Sequence, residues 1–179
     1  MGQLKRFVVP AVLLACFLLA AADPDCEGLN DRVDEMAQCC QVESIIPLDG
    51  AADCSAAAEA ATNKHEKMMC PIQCQLESIG VMNGKDLVKE KVLEYANRLS
   101  EDWKEEAIAV ANTCLEKVDI VSTKIQEHGQ SMKCSPVAGI LMMCLLKETM
   151  DNCPADKWQN TNFCNKMKSG ECFKKRGGH

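Results

Sequence analysis

Thirteen cysteines in 179 residues constrain this chain more than any other feature. What they mean depends on the compartment, and the N-terminus sets that. Lys5 and Arg6 form a basic start, residues 7–19 an apolar run, and Ala20-Ala21-Ala22 supplies small residues for cleavage. This is the pattern of a secretory signal peptide over residues 1–22, with Asp23 as the mature N-terminus. The leader takes Lys5, Arg6 and Cys16 with it. The mature 157 residues hold 18 Lys+Arg against 26 Asp+Glu, net −8, and twelve cysteines. An even count in an oxidising compartment reads as six disulfides. A thiolate metal site is the weaker reading, because there is no C-x2-C pair and His65, His128 and His179 are scattered. No metal and no cofactor are expected.

The acidic balance argues against a nucleic-acid partner. Beyond the leader the longest apolar run, residues 137–146, is ten residues against the roughly 20 a bilayer span needs, so no stable membrane insertion is expected. Residues 23–179 suit one domain, and the tail KKRGGH reads as disordered.

Periodicity points to helices throughout. Residues 26–41 carry apolar positions at Leu29, Val33, Met36, Ala37 and Cys40, and residues 51–61 are alanine-rich. Residues 63–78 read as a helix disturbed at Pro71 and closed by Gly80; Asn83-Gly84 is a turn. Residues 85–99 and 101–118 are amphipathic, the second capped by Ser100, and residues 119–133 read as polar and irregular. Ser135-Pro136 starts a helix whose residues 137–146 have no polar face, which predicts a buried central helix. A short helix is expected over residues 161–169. No strand-like alternation stands out, so the fold class is all-α. Cys70 and Cys74 share one helix face and clamp two neighbours, while the adjacent Cys39 and Cys40 need different partners.

The cysteine order resembles a known family. After Cys70-x3-Cys74 come 39 residues, Cys114, 19 residues, Cys134, nine residues, Cys144, eight residues, then Cys153-Pro154 and Cys164. This is similar to the insect odorant-binding proteins of the pheromone/general odorant-binding family, and within them to the cysteine-enriched Plus-C class. CPIQCQLESIGVMNG, residues 70–84, resembles that family's C-x3-C helix and following turn. The resemblance implies a compact, disulfide-stapled bundle of about six to eight helices around an apolar pocket. It also implies core bridges Cys70–Cys144, Cys114–Cys153, and Cys74 with either Cys40 or Cys54, where 29 and 15 residues respectively precede Cys70. With Cys40 in the core, Cys26, Cys39, Cys54, Cys134, Cys164 and Cys172 are the additional cysteines, for which 15 pairings exist. Cys164 and Cys172 are expected to strap the C-terminal extension to the bundle.

The function implied is a secreted carrier of small hydrophobic, odorant- or pheromone-like molecules, moving them through sensillum lymph or another body fluid to an odorant receptor. The pocket walls expected from the inward stripes are Met68, Ile72, Leu76, Val88, Val92, Tyr95, Ile140, Leu141, Met143 and Leu145, with Tyr95 as the polar handle. A non-olfactory binder that sequesters a lipid or mediator in saliva or reproductive fluid is the alternative. Catalysis is disfavoured. Cys39-Cys40 resembles the helix of secreted phospholipases, but Gln41-Val42-Glu43 follows where a His-Asp pair belongs, and there is no G-x-S-x-G or H-E-x-x-H. Both monomer and homodimer are compatible with the sequence.

Overall fold

Two side-chain caps place the helices that matter most. Ser135 is the N-cap of α6 (Pro136–Asp151): its hydroxyl accepts from the Val137 N–H at 3.3 Å, and Pro136 fills a first-turn position that needs no N–H. Asn63 does the same for α3 (Lys64–Ser78), accepting from the Glu66 N–H at 2.9 Å. In the computed structural model, residues 26–29, 32–49, 51–127 and 132–174 are described. The leader over residues 1–22 and the last five tail residues lie outside them.

The other elements are α1 (Val33–Ala37), α2 (Ser55–Glu59), β1 (Met82–Asn83), β2 (Asp86–Leu87), α4 (Lys89–Asn97), α5 (Glu101–Glu127), α7 (Asn162–Lys168) and α8 (Glu171–Lys174). The fold is the all-α, disulfide-stapled bundle that was expected, with eight helices among the described residues. Its one sheet there is the two-residue hairpin β1–β2, turned by Gly84 at φ 58°, in the left-handed region that favours glycine. Gly80 closes α3 in the same region (φ 76°). The Val81 N–H then reaches the Leu76 carbonyl at 2.8 Å, a Schellman end with both side chains fully buried.

Several local expectations gave way to tertiary contacts. The helix over residues 26–41 is reduced to Val33–Ala37, because Cys40 pairs with Trp158 instead. There the Gln41 N–H bonds the Lys157 carbonyl at 2.9 Å, and the Gln159 N–H bonds the Cys39 carbonyl at 2.8 Å. The alanine-rich stretch yields only Ser55–Glu59. Pro71 sits inside α3 without ending it. Residues 119–127, read as irregular, continue α5. The Ser122 and Thr123 hydroxyls donate back to the Val118 and Asp119 carbonyls at 2.7 and 3.0 Å, so these polar side chains are satisfied inside the helix.

α6 packs on α5, α3, α7 and β2, which makes it central, but it is not covered on every side. Val137, Ala138, Gly139, Leu141, Leu145 and Met150 are buried, whereas Met143 is 48% exposed. Gly139 lets α3 approach: a Cβ there would lie 2.4 Å from Met69 Sδ. The main core joins Leu76, Val92, Trp103, Val110, Leu141 and Leu145. A second, smaller core gathers Leu29, Met36, Met150, Phe163 and Met167 from the two ends of the described chain.

The implied disulfides are corrected. Cys70 bonds Cys134, not Cys144; Cys114 bonds Cys144, not Cys153; and Cys74 bonds Cys54, not Cys40. The reason is the axial reach of α6. Cys134 and Cys144 are separated by about 15 Å at 1.5 Å per residue, far more than the roughly 4.4–6.8 Å a disulfide spans between Cα atoms. Cys134, just before α6, meets α3 at a Cα–Cα distance of 5.2 Å, and Cys144, mid-helix, meets α5 at 5.6 Å. Among Cys54, Cys70, Cys74, Cys114, Cys134 and Cys144, first pairs with third, second with fifth and fourth with sixth. The alternating scheme therefore holds in a register one cysteine later at its N-terminal end and one earlier at its C-terminal end than the implied set with Cys40. The remaining bridges are nested: Cys40–Cys153 inside Cys39–Cys164 inside Cys26–Cys172. Cys39 and Cys40 do take different partners, and the C-terminal extension is strapped to the N-terminal arm.

Glu66 sets an acid limit on α3. Buried at the helix start, its carboxylate accepts from the Thr62 N–H at 3.0 Å and the Thr62 hydroxyl at 2.7 Å. These bonds, the backbone N–H foremost, hold its pKa below the ordinary 4.5. A depressed carboxyl pKa contributes stability that is complete above the unfolded value and lost as pH falls through the folded one. Unfolding midpoints should therefore drop below about pH 4.5, and Glu66→Gln should flatten that acid limb while leaving the curve between pH 5 and 7 parallel to wild type. An unchanged acid limb in the variant would reject this role for Glu66.

Candidate functional site

Three pieces of backbone enclose a half-open cleft of about 400 Å³. The first is the hairpin's second half, with Lys85, Asp86 and Leu87, running into Lys89 of α4. The second is the far half of α5, which presents Val118, Asp119, Ser122 and Ile125 at helical spacing. The third is the approach to α6: Met132, Cys134, Ser135, Pro136 and Val137. The apolar side chains of Leu87, Val118, Ile125, Met132, Pro136 and Val137 make up about half of this lining by residue type, and Val118 and Val137 are buried.

The third wall is fixed from behind by α3. Cys134 is bonded to Cys70, and the Ser135 N–H donates to Gln73 Oε1 at 2.6 Å. The rim is polar. Lys89 Nζ lies 2.5 Å from Asp119 Oδ2, tying α4 to α5, and Lys85 Nζ donates to the Met132 carbonyl at 2.6 Å, tying the hairpin to the third wall. The Ser122 hydroxyl proton is used on Val118, leaving its oxygen as an acceptor beside the cleft. The lining mixes apolar and polar side chains in nearly equal share, more polar than most small-molecule sites, while the volume falls in their usual range of about 300–1,000 Å³.

The side chains expected to wall a pocket lie elsewhere. Leu76, Val92, Leu141 and Leu145 are buried in the main core, with Ile72, Tyr95 and Ile140 packed partly buried against it; Val88 is partly buried at the N-cap of α4. Met68 and Met143 are 43% and 48% exposed, so the inward orientation read for them is corrected. Helical spacing assigned both to an inner stripe, but the covered sector of each helix is narrower than its apolar one. Tyr95 donates its phenol proton to the Ile79 carbonyl at 3.1 Å, a bond within the protein. None of the ten lines the cleft between β2, α5 and α6. Of the cleft's own residues, the repeat Val118, Ser122, Ile125 was a readable signal that the assignment of an irregular stretch hid. The contribution of β2 had no comparable signature.

Among the described residues no helix is long and apolar enough to cross a membrane, and no group of three or more His, Cys, Asp or Glu is placed to hold a metal ion. A search of curated proteins finds no match to the chain. A family comparison does: the sequence model of the PBP/GOBP family matches residues 23–148, a stretch that takes in the helices from α1 to most of α6 and the six cysteines of the alternating scheme. With more than half of its length matched, and an all-α disulfide-linked bundle to go with it, the chain belongs to the PBP/GOBP family of odorant- and pheromone-binding carriers.

Proposed function

We propose that the protein is a secreted carrier of the Plus-C class, one that takes up a small hydrophobic molecule in the cleft between β2, the far half of α5 and the start of α6. The observation that carries this reading is the cleft's construction, an apolar floor held open between elements that a disulfide, an ion pair and two backbone contacts keep in place. The twelve cysteines of six bridges support the class, and the leader pattern supports secretion as a single domain over residues 23–179. The family is one of binders, and the reading needs no chemical step. Delivery to a receptor in sensillum lymph or another body fluid is the setting that the family suggests.

Burial of about ten CH₂ groups at about 0.8 kcal/mol each gives about 8 kcal/mol gross, which ordering costs reduce to affinities of about micromolar or weaker. A fluorescent apolar probe should enter the protein and be displaced by long-chain alcohols, aldehydes or esters. Ile125→Glu, which sets a charge on the half-buried floor, should weaken the probe about ten-fold or more. Tyr95→Phe should leave it unchanged. Absence of probe uptake by the wild-type protein, or full uptake by Ile125→Glu, would remove the cleft from this role.

A further inference from the structure

The charges around the cleft are not equivalent, and their arrangement bears on which head group a ligand carries. Lys89 and Asp119 neutralise each other. Lys85 is different: its ammonium reaches across to the Met132 carbonyl, 47 residues away and itself part of the lining, so the charge is held between two walls of the cleft. That partner is neutral, and among the described residues no carboxylate lies within ion-pair distance of Lys85. One of its three N–H donors is used on Met132, and two remain for an incoming acceptor.

Resting on the carrier reading above, we infer that the cleft prefers an amphiphile with a carboxylate head, seated with its chain on Leu87, Val118 and Ile125 and its head on Lys85. At neutral pH such a head is ionised, and its bond to an ammonium is charge-assisted, whereas an ester or alcohol of the same chain offers only a neutral acceptor. The rim is half-open, so the gain is that of a partly exposed ion pair and is screened by salt. Asp86, on the same rim, opposes an anion and makes the preference smaller than Lys85 alone would give.

The test compares dodecanoic acid, its methyl ester and dodecanol as displacers of a neutral fluorescent probe at pH 7.5. Three proteins are used: wild type, Lys85→Met and Lys85→Arg. The wild type should hold the acid about five-fold more tightly than the ester at low salt, and the difference should shrink toward zero at about 1 M salt. Lys85→Met should abolish that difference, read as the ratio of acid to ester affinity; any loosening from the lost bond to Met132 lowers both affinities equally and does not move the ratio. Lys85→Arg should keep the difference. Asp86→Asn should widen it. Equal acid and ester affinities in the wild type, or an acid preference that survives in Lys85→Met, would overturn the assignment while leaving the carrier reading standing. Failure of all three compounds to displace a bound probe would place the probe outside the cleft and overturn both.

Discussion

Trp103→Ala is expected to lower the unfolding free energy by about 3–5 kcal/mol, the range for deleting a buried aromatic side chain. Trp103 is 2% exposed in the first turn of α5 and lies among the largest fully enclosed side chains of the main core. Yet its indole N–H meets no acceptor among the described residues. A buried donor without a partner is a cost that the side chain's contacts must outweigh. Trp103→Phe discards that donor while keeping most of the aromatic volume, so it should cost only about 1 kcal/mol. Denaturant titration separates the cases through the shift in midpoint at constant slope. If Phe proves as damaging as Ala, the indole N–H contributes to stability instead of opposing it, and its lack of a partner is not a cost.

Removing Cys114–Cys144 as a double alanine variant should cost about 3–4 kcal/mol from loop entropy alone, with a further contribution from the space left at the fully buried Cys114. It should also weaken probe binding, since this bridge locks α5 to α6 and both line the cleft. Cys26–Cys172 makes the contrast. Taken singly it closes the longest loop in the protein, 146 residues apart in sequence, and would rank first at about 5 kcal/mol. With Cys39–Cys164 intact, only roughly 20 residues remain for it to close, and its removal should cost about 3 kcal/mol, with probe binding unchanged. Equal effects of the two variants on binding would mean that the terminal arms act on the cleft.

What could be read in advance followed from local chemistry. Ser135-Pro136, Gly80 and Asn83-Gly84 carry their conformations within a few residues, and each stands where it was expected. Residues 101–118, read as amphipathic, do bury one face, with Trp103, Val110 and Cys114 on it. The pairing of cysteines was not legible, because spacing along the chain says nothing of where a helix sits along its own axis, and a shift of α6 exchanges Cys134 for Cys144 as the partner of Cys70. The cleft was missed for a related reason. An inward stripe identifies side chains that leave water, not which of them face a neighbour and which a cavity. Leu76 and Leu141 obey the same periodicity as Ile125 and line only the core.

The nesting of the three outer bridges has a mechanical side. Cys26 and Cys172 hold their Cα atoms 5.0 Å apart. A pull applied through the chain outside these two residues is therefore borne by a single S–S bond and passes by the helices α1 to α7. The two strands that leave this bridge start side by side, so a surface or a fusion partner attached through either one grips the molecule at the same spot. From that anchorage the cleft, built from residues 85–137, hangs in the covalently closed interior of the chain, and tension on the tether does not reach it.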